Sequence, residues 1–530
     1  MGAAQFSLSS IDLFMLGVYF VFMIALGIWL SKGNKSSEDY FLASRSMTWP
    51  VVGLSLFASQ ISSTSLVGLA GAAYGTGIST YNYEWMSAAL LVFFSLFILP
   101  FILKSQVFTM PEFLAKRYDN RARVYFSVIT LILNIVVDTA GSLFAGALIV
   151  KLVFPQVEIW QTVVVLALAA GLYTIVGGLK AVMVTDVVQA IVLIIGSILI
   201  AVFAINAAGG LAEINNSIAP EKLSLIQPMD DPAVPWLGVL TGIPLLGFYF
   251  WCTNQFMVQR VLSAKDINHG RWGALFAGAL KIPVLFTMVL PGSAALLLYP
   301  DLPQADLVYP TLMFDLLPVG VLGLVLAGFV AALMSQIDST LNSASTLVTM
   351  DFVHRHKPNL TDEELLRTGK LATFTFMMIA VLWAPQIERF SSLFQYLQNV
   401  LAYAVPPVVA LFLFGIFWPR ANARGAIVTI WVGISTAALL FVLNELPGEV
   451  LNLHFLYVAP ILFLVCCLTM IVASFSAPAP AREKIDSMIW SKSYFKEETT
   501  ALMSMPWWQN YRYQSLAILV WCGVVVAAYW

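Results

Sequence analysis

Long apolar runs follow one another along almost the whole of this 530-residue sequence. Charged residues make up 11% of the chain and hydrophobic residues 60%, whereas a soluble domain carries about 25% charged residues. The mean hydropathy is +0.85, so the chain has too few polar side chains to cover a particle of this size in water. The runs have the length of helices that cross a bilayer, and the sequence therefore predicts an all-α integral membrane protein.

The apolar runs also predict how many helices cross the membrane. A bilayer core of about 30 Å needs roughly 20 apolar residues in a helix, and that length divides the chain into fourteen segments. No Lys or Arg precedes Lys32, so the first segment is expected to be a span and not a cleaved signal peptide. The segments lie near 11–30, 48–75, 81–103, 124–152, 157–177, 180–206, 236–262, 272–299, 317–350, 368–388, 391–418, 424–444, 453–475 and 513–530.

Basic residues are divided unevenly between the loops, which predicts the orientation of the chain. The loops that follow odd-numbered segments hold most of the Lys and Arg residues, whereas the opposite loops hold Lys222 and Arg389. Cytoplasmic loops carry the basic excess, so both termini are expected to face outward. We predict a multi-pass protein of the plasma membrane, and the lack of a long outer loop favours a bacterial inner membrane.

Several function classes are excluded by what the sequence lacks. A formal net charge of −2 gives no basic footprint for nucleic acid. The sequence has no GxxxxGK[ST] loop for ATP phosphates and no HExxH or Gly-x-Ser-Gly motif for hydrolysis. The four cysteines lie inside apolar runs and are interpreted as small hydrophobic residues. We expect a transporter or channel without enzymatic activity, in contact with the lipid bilayer and with no obligate protein partner.

A few ionisable residues lie inside the predicted spans. They are Glu84, Asp138, Asp186, Lys281 and Asp338. A charge at the centre of a membrane helix costs at least about 2.5–3.5 kcal/mol, so each of these residues is a candidate functional group. The competing explanations are structural: an interfacial cap for Asp186, and structural ion pairs for Lys281 and Asp138.

Two polar stretches accompany these charges. One is 58–65 in the second segment, and the other is 335–343 in the ninth, where Ser335, Asp338, Ser339 and Asn342 recur at helical spacing. Ser and Thr compete for backbone hydrogen bonds, and an unwound backbone at membrane depth is tolerated where it lines a cavity. The freed carbonyl oxygens suit a small hard cation, so the stretches predict a cation site. The competing explanation is hydrogen bonding that merely joins helices.

Several motifs resemble a known family. The stretch YTIVGGLKA at 173–181, followed by Thr185-Asp186, resembles the signature of the sodium/solute symporter family, and 331–351 looks like its sodium-binding helix. Three further motifs resemble its sodium/sugar cotransporters more narrowly: Tyr83–Ser87, Trp251–Gln255 with Gln259-Arg260, and Phe394–Gln398. The resemblance runs in order over essentially the whole chain.

The resemblance implies an architecture. It is a LeuT-like core of two inverted five-helix repeats, which place solute and ion near the midplane at broken helices. The expected divisions are 1–47 (outward tail, flanking helix and cytoplasmic loop), 48–206 (first repeat), 207–235 (outward loop), 236–418 (second repeat) and 419–530 (three flanking helices with a cytoplasmic linker at 476–512).

The resemblance also implies sodium ligands. The first site would use backbone oxygens of Ala58, Ile61 and Ala332 together with the Ser335 hydroxyl. Gln336 stands where the family usually has a second serine ligand.

Asp186 matches an aspartate implicated in a second sodium site or in sodium release. Asp338 is not the family's usual residue, and we expect it to cooperate with Asp186 and Ser339 in a further cation site.

A solute site and its gates follow from the same resemblance. Carboxylate, amide and ammonium groups are suitable partners for sugar hydroxyls, and aromatic faces pack against a sugar ring. The implied solute-binding residues are Gln60, Ser65, Glu84, Ser87, Lys281 and Gln398. The implied gates are Leu69, Tyr83, Phe250, Trp251 and Phe394.

The predicted function is secondary active symport, in which sodium ions moving down their gradient import a sugar by alternating access. The closest competing function keeps the fold and carries a small organic anion such as sialate, with Lys281 as the fixed cation. The sequence is also compatible with a sodium-gated sensor or a passive channel.

Overall fold

The computed structural model describes residues 8–31, 36–389, 393–445 and 451–530. In this part of the chain every regular element is a helix, apart from one isolated bridge between Met47 and Ala264. The prediction of an all-helical membrane protein is therefore confirmed for the described residues.

The described residues contain 10 helices long and apolar enough to cross a membrane, or up to 13 when each bent helix pair is counted as one span. The predicted count of fourteen is not confirmed. The difference lies at 157–177, where a helical run, Ile159–Ala207, kinks at Gly178 and its first part contains only a shorter apolar helix, Ile159–Leu168. Gly178 has φ +65°, a conformation that glycine adopts without a side-chain clash.

We number the principal helices in chain order. They are α1 (Ser10–Leu30), α2 (Trp49–Gln60), α3 (Ser63–Thr76), α4 (Ile78–Lys104), α5 (Asn120–Val153), α6 (Gly178–Ala207), α7 (Trp236–Thr253), α8 (Gln255–Leu262), α9 (Ile267–Lys281), α10 (Leu285–Leu298), α11 (Val321–His356), α12 (Asp362–Glu388), α13 (Leu393–Ala404), α14 (Pro406–Phe417), α15 (Ala423–Asn444), α16 (Phe455–Phe475), α17 (Lys492–Met503) and α18 (Tyr511–Ala528). Shorter helices are Ser37–Leu42, Met110–Arg117, Leu211–Ser217, Val308–Leu316 and Arg482–Ile485.

The first polar stretch interrupts a helix, as the sequence predicts. Helix α2 ends at Gln60, α3 begins at Ser63, and the two are bent by 58°. The Ser62 hydroxyl caps α3 by accepting from the Ser65 N–H at 3.3 Å, and the Ser65 hydroxyl in turn donates to the Gln60 carbonyl at 2.9 Å. The side chains of the stretch thus replace the backbone bonds that the break removes.

The second polar stretch behaves differently, and the expectation that it weakens its helix is wrong. Helix α11 runs through 335–343 without a break. Its hydroxyls donate backwards to carbonyls one turn earlier, as Thr340 does to Gln336 at 2.9 Å and Thr346 to Asn342 at 2.8 Å. Such back-bonding leaves the helical ladder in place.

Helix α11 forms the centre of the molecule, and several other helices form its periphery. The most apolar 18-residue window of α11 is 89% buried, whereas that of α1 is 17% buried. Large apolar side chains on the peripheral helices are exposed, including Phe14, Trp431 and Val472. Apolar residues that face outward are expected where the surrounding solvent is lipid. The polar residues, by contrast, are concentrated on the buried helices.

A carboxylate makes one of the contacts between the segment 476–512 and the membrane helices. Glu498 of α17 is ion-paired to Arg271 of α9, and the Tyr511 hydroxyl donates to it at 2.5 Å. Arg512 lies 3.7 Å from the same carboxylate. Burial raises the pKa of Glu498, but the hydrogen bond and charge of Arg271 together with the tyrosine donors outweigh that effect, and the pKa lies below its ordinary value.

Candidate functional site

A cavity of about 130 Å³ lies beside the break between α2 and α3. It is enclosed by residues of α2, α3, α4, α5, α7, α11 and α13. Its polar lining comprises Gln60, Ser62, Thr64, Ser65, Tyr83, Glu84, Ser87, Asp138, Gln336 and Gln398. Its other lining residues include Leu69, Leu90, Val137, Ile243, Leu246, Phe250, Trp251, Leu397 and Leu401. Apolar walls with a few polar groups are typical of a small-molecule site.

The structure brings five of the six predicted solute residues to this cavity. Gln60, Ser65, Glu84, Ser87 and Gln398 line it. Lys281 does not line the cavity but lies directly behind it, where Nζ is 3.0 Å from Glu84 Oε2.

The Glu84–Lys281 pair is almost completely removed from solvent. Its side chains are 3% and 0% exposed, and the ammonium also lies 5.4 Å from the ring centres of Phe57 and Trp251. Gln60 Nε2 donates to the other Glu84 oxygen at 3.1 Å. One face of the carboxylate is therefore neutralised by lysine while the other points towards the cavity. The pair carries no net charge.

Four of the five predicted gate residues line the same cavity. Leu69 and Tyr83 come from α3 and α4, and Phe250 and Trp251 come from α7, with ring centres 5.2 Å apart. The side chain of Phe394 lies outside the described residues.

Two of the predicted sodium ligands are backbone groups that the helix break releases. In an unbroken helix the Ser62 and Ser65 N–H groups would donate to the carbonyls of Ala58 and Ile61. Here the Ser62 N–H donates to the Gln60 carbonyl at 2.9 Å, and the Ser65 N–H donates to the Ser62 hydroxyl. The Ala58 and Ile61 carbonyls thus lose their regular helical donors, which leaves oxygen atoms for a cation.

A buried polar cluster lies between α2, α6, α8 and α11. Asp186 accepts from the Ser335 hydroxyl at 2.6 Å and from the Ser55 hydroxyl at 2.5 Å. The Arg260 guanidinium lies 3.0 Å from the same carboxylate and donates to Ser55 at 2.7 Å. All four side chains are almost completely buried. Asp186 is thus internally ion-paired, and the competing explanation of an interfacial cap is not what the structure shows.

Three further predicted ion residues, Ala332, Asp338 and Ser339, lie on α11. The Ser339 hydroxyl is 3.1 Å from that of Ser59 and accepts from Arg260. Ala332 and Asp338 are buried on the same helix, and Asp338 directly precedes Ser339 in the chain. The arrangement places Asp338 near the cluster, but Arg260 already supplies the positive charge that faces Asp186.

Gln336 lies apart from the cluster. Its side chain lines the cavity, where Nε2 donates to Asp138 Oδ1 at 3.3 Å. Ser335 and Gln336 are consecutive, and consecutive helical residues point about 100° apart. The hydroxyl of Ser335 therefore faces Asp186 while the amide of Gln336 faces the cavity. The structure does not bring the Gln336 amide to the other predicted sodium ligands.

Two functional candidates are not assigned to a site by sequence reasoning. Arg260 appears there only as part of a motif, because nothing local indicates that its guanidinium pairs with Asp186, 74 positions away. Asp138 carries a usable signal, an intramembrane carboxylate, but the sequence alone favours a structural ion pair for it. It lies in a π-helical turn, Asn134–Thr139, and such turns are frequent at functional sites.

Comparison with known proteins finds a matching family model and matching curated proteins. The family model described as the sodium:solute symporter family matches residues 40–433. The chain is 33% identical to sodium/glucose cotransporter 4 of Danio rerio, over 95% of this chain and 84% of that protein. It is also 33% identical to sodium/myo-inositol cotransporter 2 of Oryctolagus cuniculus, over 92% of this chain and 80% of that protein.

A solved structure shares the fold. A Na⁺-coupled sialic acid symporter in a substrate-bound outward-open state superposes with a TM-score of 0.79, covering 89% of this chain and 99% of that one at 24% identity.

Proposed function

Because this chain belongs to the sodium:solute symporter family, we propose that it imports a sugar or a closely related polyol together with sodium by alternating access. Sodium is the coupling ion. The sodium/glucose and sodium/myo-inositol cotransporters that it resembles transport neutral, hydroxyl-rich solutes by their names.

One observation carries the proposal for the solute. The carboxylate of Glu84 reaches a cavity lined by amides, hydroxyls and aromatic rings, and its charge is balanced by Lys281. Gln60 Oε1 is buried and has no hydrogen-bond partner among the described residues. Buried polar atoms are normally satisfied, so a hydroxyl group of the solute is a suitable partner for it. A lining that combines polar groups with apolar side chains suits a neutral sugar ring.

The same arrangement supports a sodium site at the helix break. We assign the first site to the released carbonyls of Ala58 and Ile61, the Ala332 carbonyl and the Ser335 hydroxyl. A cation held there joins α2 to α11, so its binding favours one arrangement of the two helices. The Asp186–Arg260 pair beside it supports a role for Asp186 in a second site or in sodium release.

The architecture proposed with this function has fourteen spans. The two inverted repeats would cover 48–206 and 236–418, and flanking helices would complete the chain. Both termini would face outward in the plasma membrane. The break between α2 and α3 supports this arrangement, because transporters with inverted repeats bind solute and ion at discontinuous helices.

The site disfavours an anionic solute. Recognition of a carboxylate needs a fixed positive charge in the cavity, but Lys281 is neutralised by Glu84. Asp138 would add a negative charge to the same cavity. The sialic acid symporter with the shared fold does not change this argument, because its identity with this chain is too low to indicate a substrate.

Accumulation of solute against its gradient tests the proposal. Purified protein in liposomes with an inward sodium gradient should concentrate a neutral sugar or cyclitol. A membrane potential of 100 mV contributes about 2.3 kcal/mol per charge, and a tenfold sodium gradient adds about 1.4 kcal/mol. One coupled sodium therefore permits accumulation of about several hundredfold. Uptake that only reaches equilibrium indicates a passive channel, and sodium binding without flux indicates a sensor.

A further inference from the structure

We propose that Asp138 and Gln336 form a second polar subsite in the cavity, which binds a pair of adjacent hydroxyl groups on a neutral solute. This inference rests on the proposed function and makes it more specific. Neither the family match nor the sodium ligands require it.

The side chains of Asp138 and Gln336 meet in the cavity. Both line the cavity, and they meet there although they are 198 positions apart in the sequence. Asp138 comes from α5 and Gln336 from α11, whereas Glu84 comes from α4 with its amide partner Gln60 at the end of α2. The cavity therefore contains two carboxylate–amide pairs supplied by four different helices.

The two carboxylate–amide pairs differ in charge. Glu84 has a lysine 3.0 Å away. None of the ion pairs found among the described residues includes Asp138, whose hydrogen-bond donor there is the neutral amide of Gln336. A carboxylate in the membrane interior is costly unless it serves a function or has a partner. Asp138 is partly accessible from the cavity, so a solute can provide that partner.

Asp138 and Gln336 keep unused hydrogen-bond donors and acceptors. Gln336 uses one N–H on Asp138 Oδ1 and retains its second N–H and its carbonyl oxygen. Asp138 retains Oδ2 as an acceptor. Two acceptors and one donor side by side complement adjacent hydroxyl groups, since each hydroxyl both donates and accepts.

The overall charge around the cavity favours a neutral solute over a cationic one. The Glu84–Lys281 and Asp186–Arg260 pairs are each neutral. A sodium ion at the proposed site next to Ser335 adds a positive charge one residue away from Gln336. That charge offsets the charge of Asp138, so the solute needs no ammonium group.

The experiment uses four proteins reconstituted in liposomes with an inward sodium gradient: the wild type, Asp138→Asn, Gln336→Ala and Asp12→Asn. Asp12 is a matched control, because it is a buried carboxylate that accepts from the backbone N–H groups of Gly320 and Gly323 at 2.8 Å, away from the cavity. The probes are glucose, myo-inositol and glucosamine. Half-saturating concentrations of probe and of sodium are both measured.

We expect Asp138→Asn to raise the half-saturating concentration of the transported neutral probe about tenfold, because hydrogen bonds to a charged acceptor are the stronger ones. Gln336→Ala should raise it as well. The half-saturating sodium concentration should stay unchanged in Gln336→Ala, and Asp12→Asn should match the wild type in both. Gln336→Ala tests the subsite independently if Asp138→Asn does not fold.

Three outcomes overturn the inference alone: an unchanged probe affinity in both variants, a Gln336→Ala variant that changes only the sodium dependence, or a wild-type preference for glucosamine that Asp138→Asn abolishes. A wild type that accumulates none of the three probes overturns the proposed function, and this inference with it.

Discussion

At the residue scale, the buried ion pair between Glu84 and Lys281 connects the solute cavity to the stability of the fold. Lys281→Met leaves Glu84 without its cation, and removing one partner of a buried pair costs about 3–5 kcal/mol. We expect a markedly lower melting temperature and no accumulation of solute. The double variant Lys281→Met/Glu84→Gln should regain most of the thermal stability but not the transport. Thermal unfolding in detergent and uptake in liposomes measure the two effects, and a double variant as unstable as the single one would contradict the argument.

We predict that the affinity for sodium depends on the Ser335 hydroxyl. Ser335→Ala removes an oxygen from the proposed sodium site and a donor to Asp186 at 2.6 Å. We expect the half-saturating sodium concentration to rise about tenfold, since each tenfold change corresponds to about 1.4 kcal/mol. Ser345→Ala is the matched control, because that buried hydroxyl of α11 donates to the Gly369 carbonyl at 2.8 Å. Equal sodium dependence in both variants would exclude Ser335 as a ligand.

At the element scale, the break between α2 and α3 depends on the cap that Ser62 provides. Ser62→Ala removes the acceptor for the Ser65 N–H, and loss of an N-cap costs about 1 kcal/mol. The freed N–H can then return to the Ile61 carbonyl and compete with sodium for it. We expect a slightly lower melting temperature together with weaker sodium dependence. Ser62→Thr keeps a capping hydroxyl and should behave as the wild type; a variant that loses stability but keeps its sodium affinity would separate the cap from the ion site.

Helix α17 makes a pH-dependent contact. The pKa of Glu498 is below its ordinary value in the folded protein, because hydrogen bonds and the charge of Arg271 outweigh burial. The contact therefore stabilises the fold above the ordinary glutamate pKa, and that stabilisation is lost as the pH falls through the lowered folded value.

We expect Glu498→Gln to increase proteolytic cleavage within 476–512 at neutral pH, with the wild type approaching the same rate only in acid. Glu497→Gln, at the neighbouring exposed position, is the control. A wild type cleaved equally fast at both pH values would show that this carboxylate does not hold the segment.

At the scale of the whole molecule, the distribution of basic residues predicts that both termini lie outside the cell. An epitope tag at either terminus should be accessible to antibody on intact cells, because cytoplasmic loops carry the basic excess. A tag placed within 476–491 should become accessible only after the membrane is permeabilised. Protection of both terminal tags on intact cells would reverse the orientation, and protection of one would change the count of spans to an odd number.

Much of the whole molecule follows from sequence, because hydropathy and breaks in helices are local properties. The spans and the interruption at Ile61–Ser62 are of this kind. Pairing between distant side chains is not local. The sequence marks Asp186 and Lys281 as costly charges, but only the fold shows that Arg260 neutralises one and Glu84 the other.

The sequence alone also does not show which neighbours a helical side chain faces. Gln336 stands beside Ser335 in the sequence, which favours the same ion for both, yet the helix turns its amide towards the cavity and Asp138. The position of Asp138 at a π-helical turn depends on the whole of α5, and no residue type signals that turn in advance.

The side-by-side placement of Ser335 and Gln336 on the unbroken helix α11 has a consequence for leakage. The hydroxyl at the proposed sodium site and the amide in the cavity belong to one unbroken helix, so a twist of that helix that displaces one also displaces the other. Slippage, in which ions cross without solute, would require α11 to bend between Ser335 and Gln336. The hydroxyls that donate to carbonyls one turn earlier stabilise α11. We therefore expect little sodium to cross without solute.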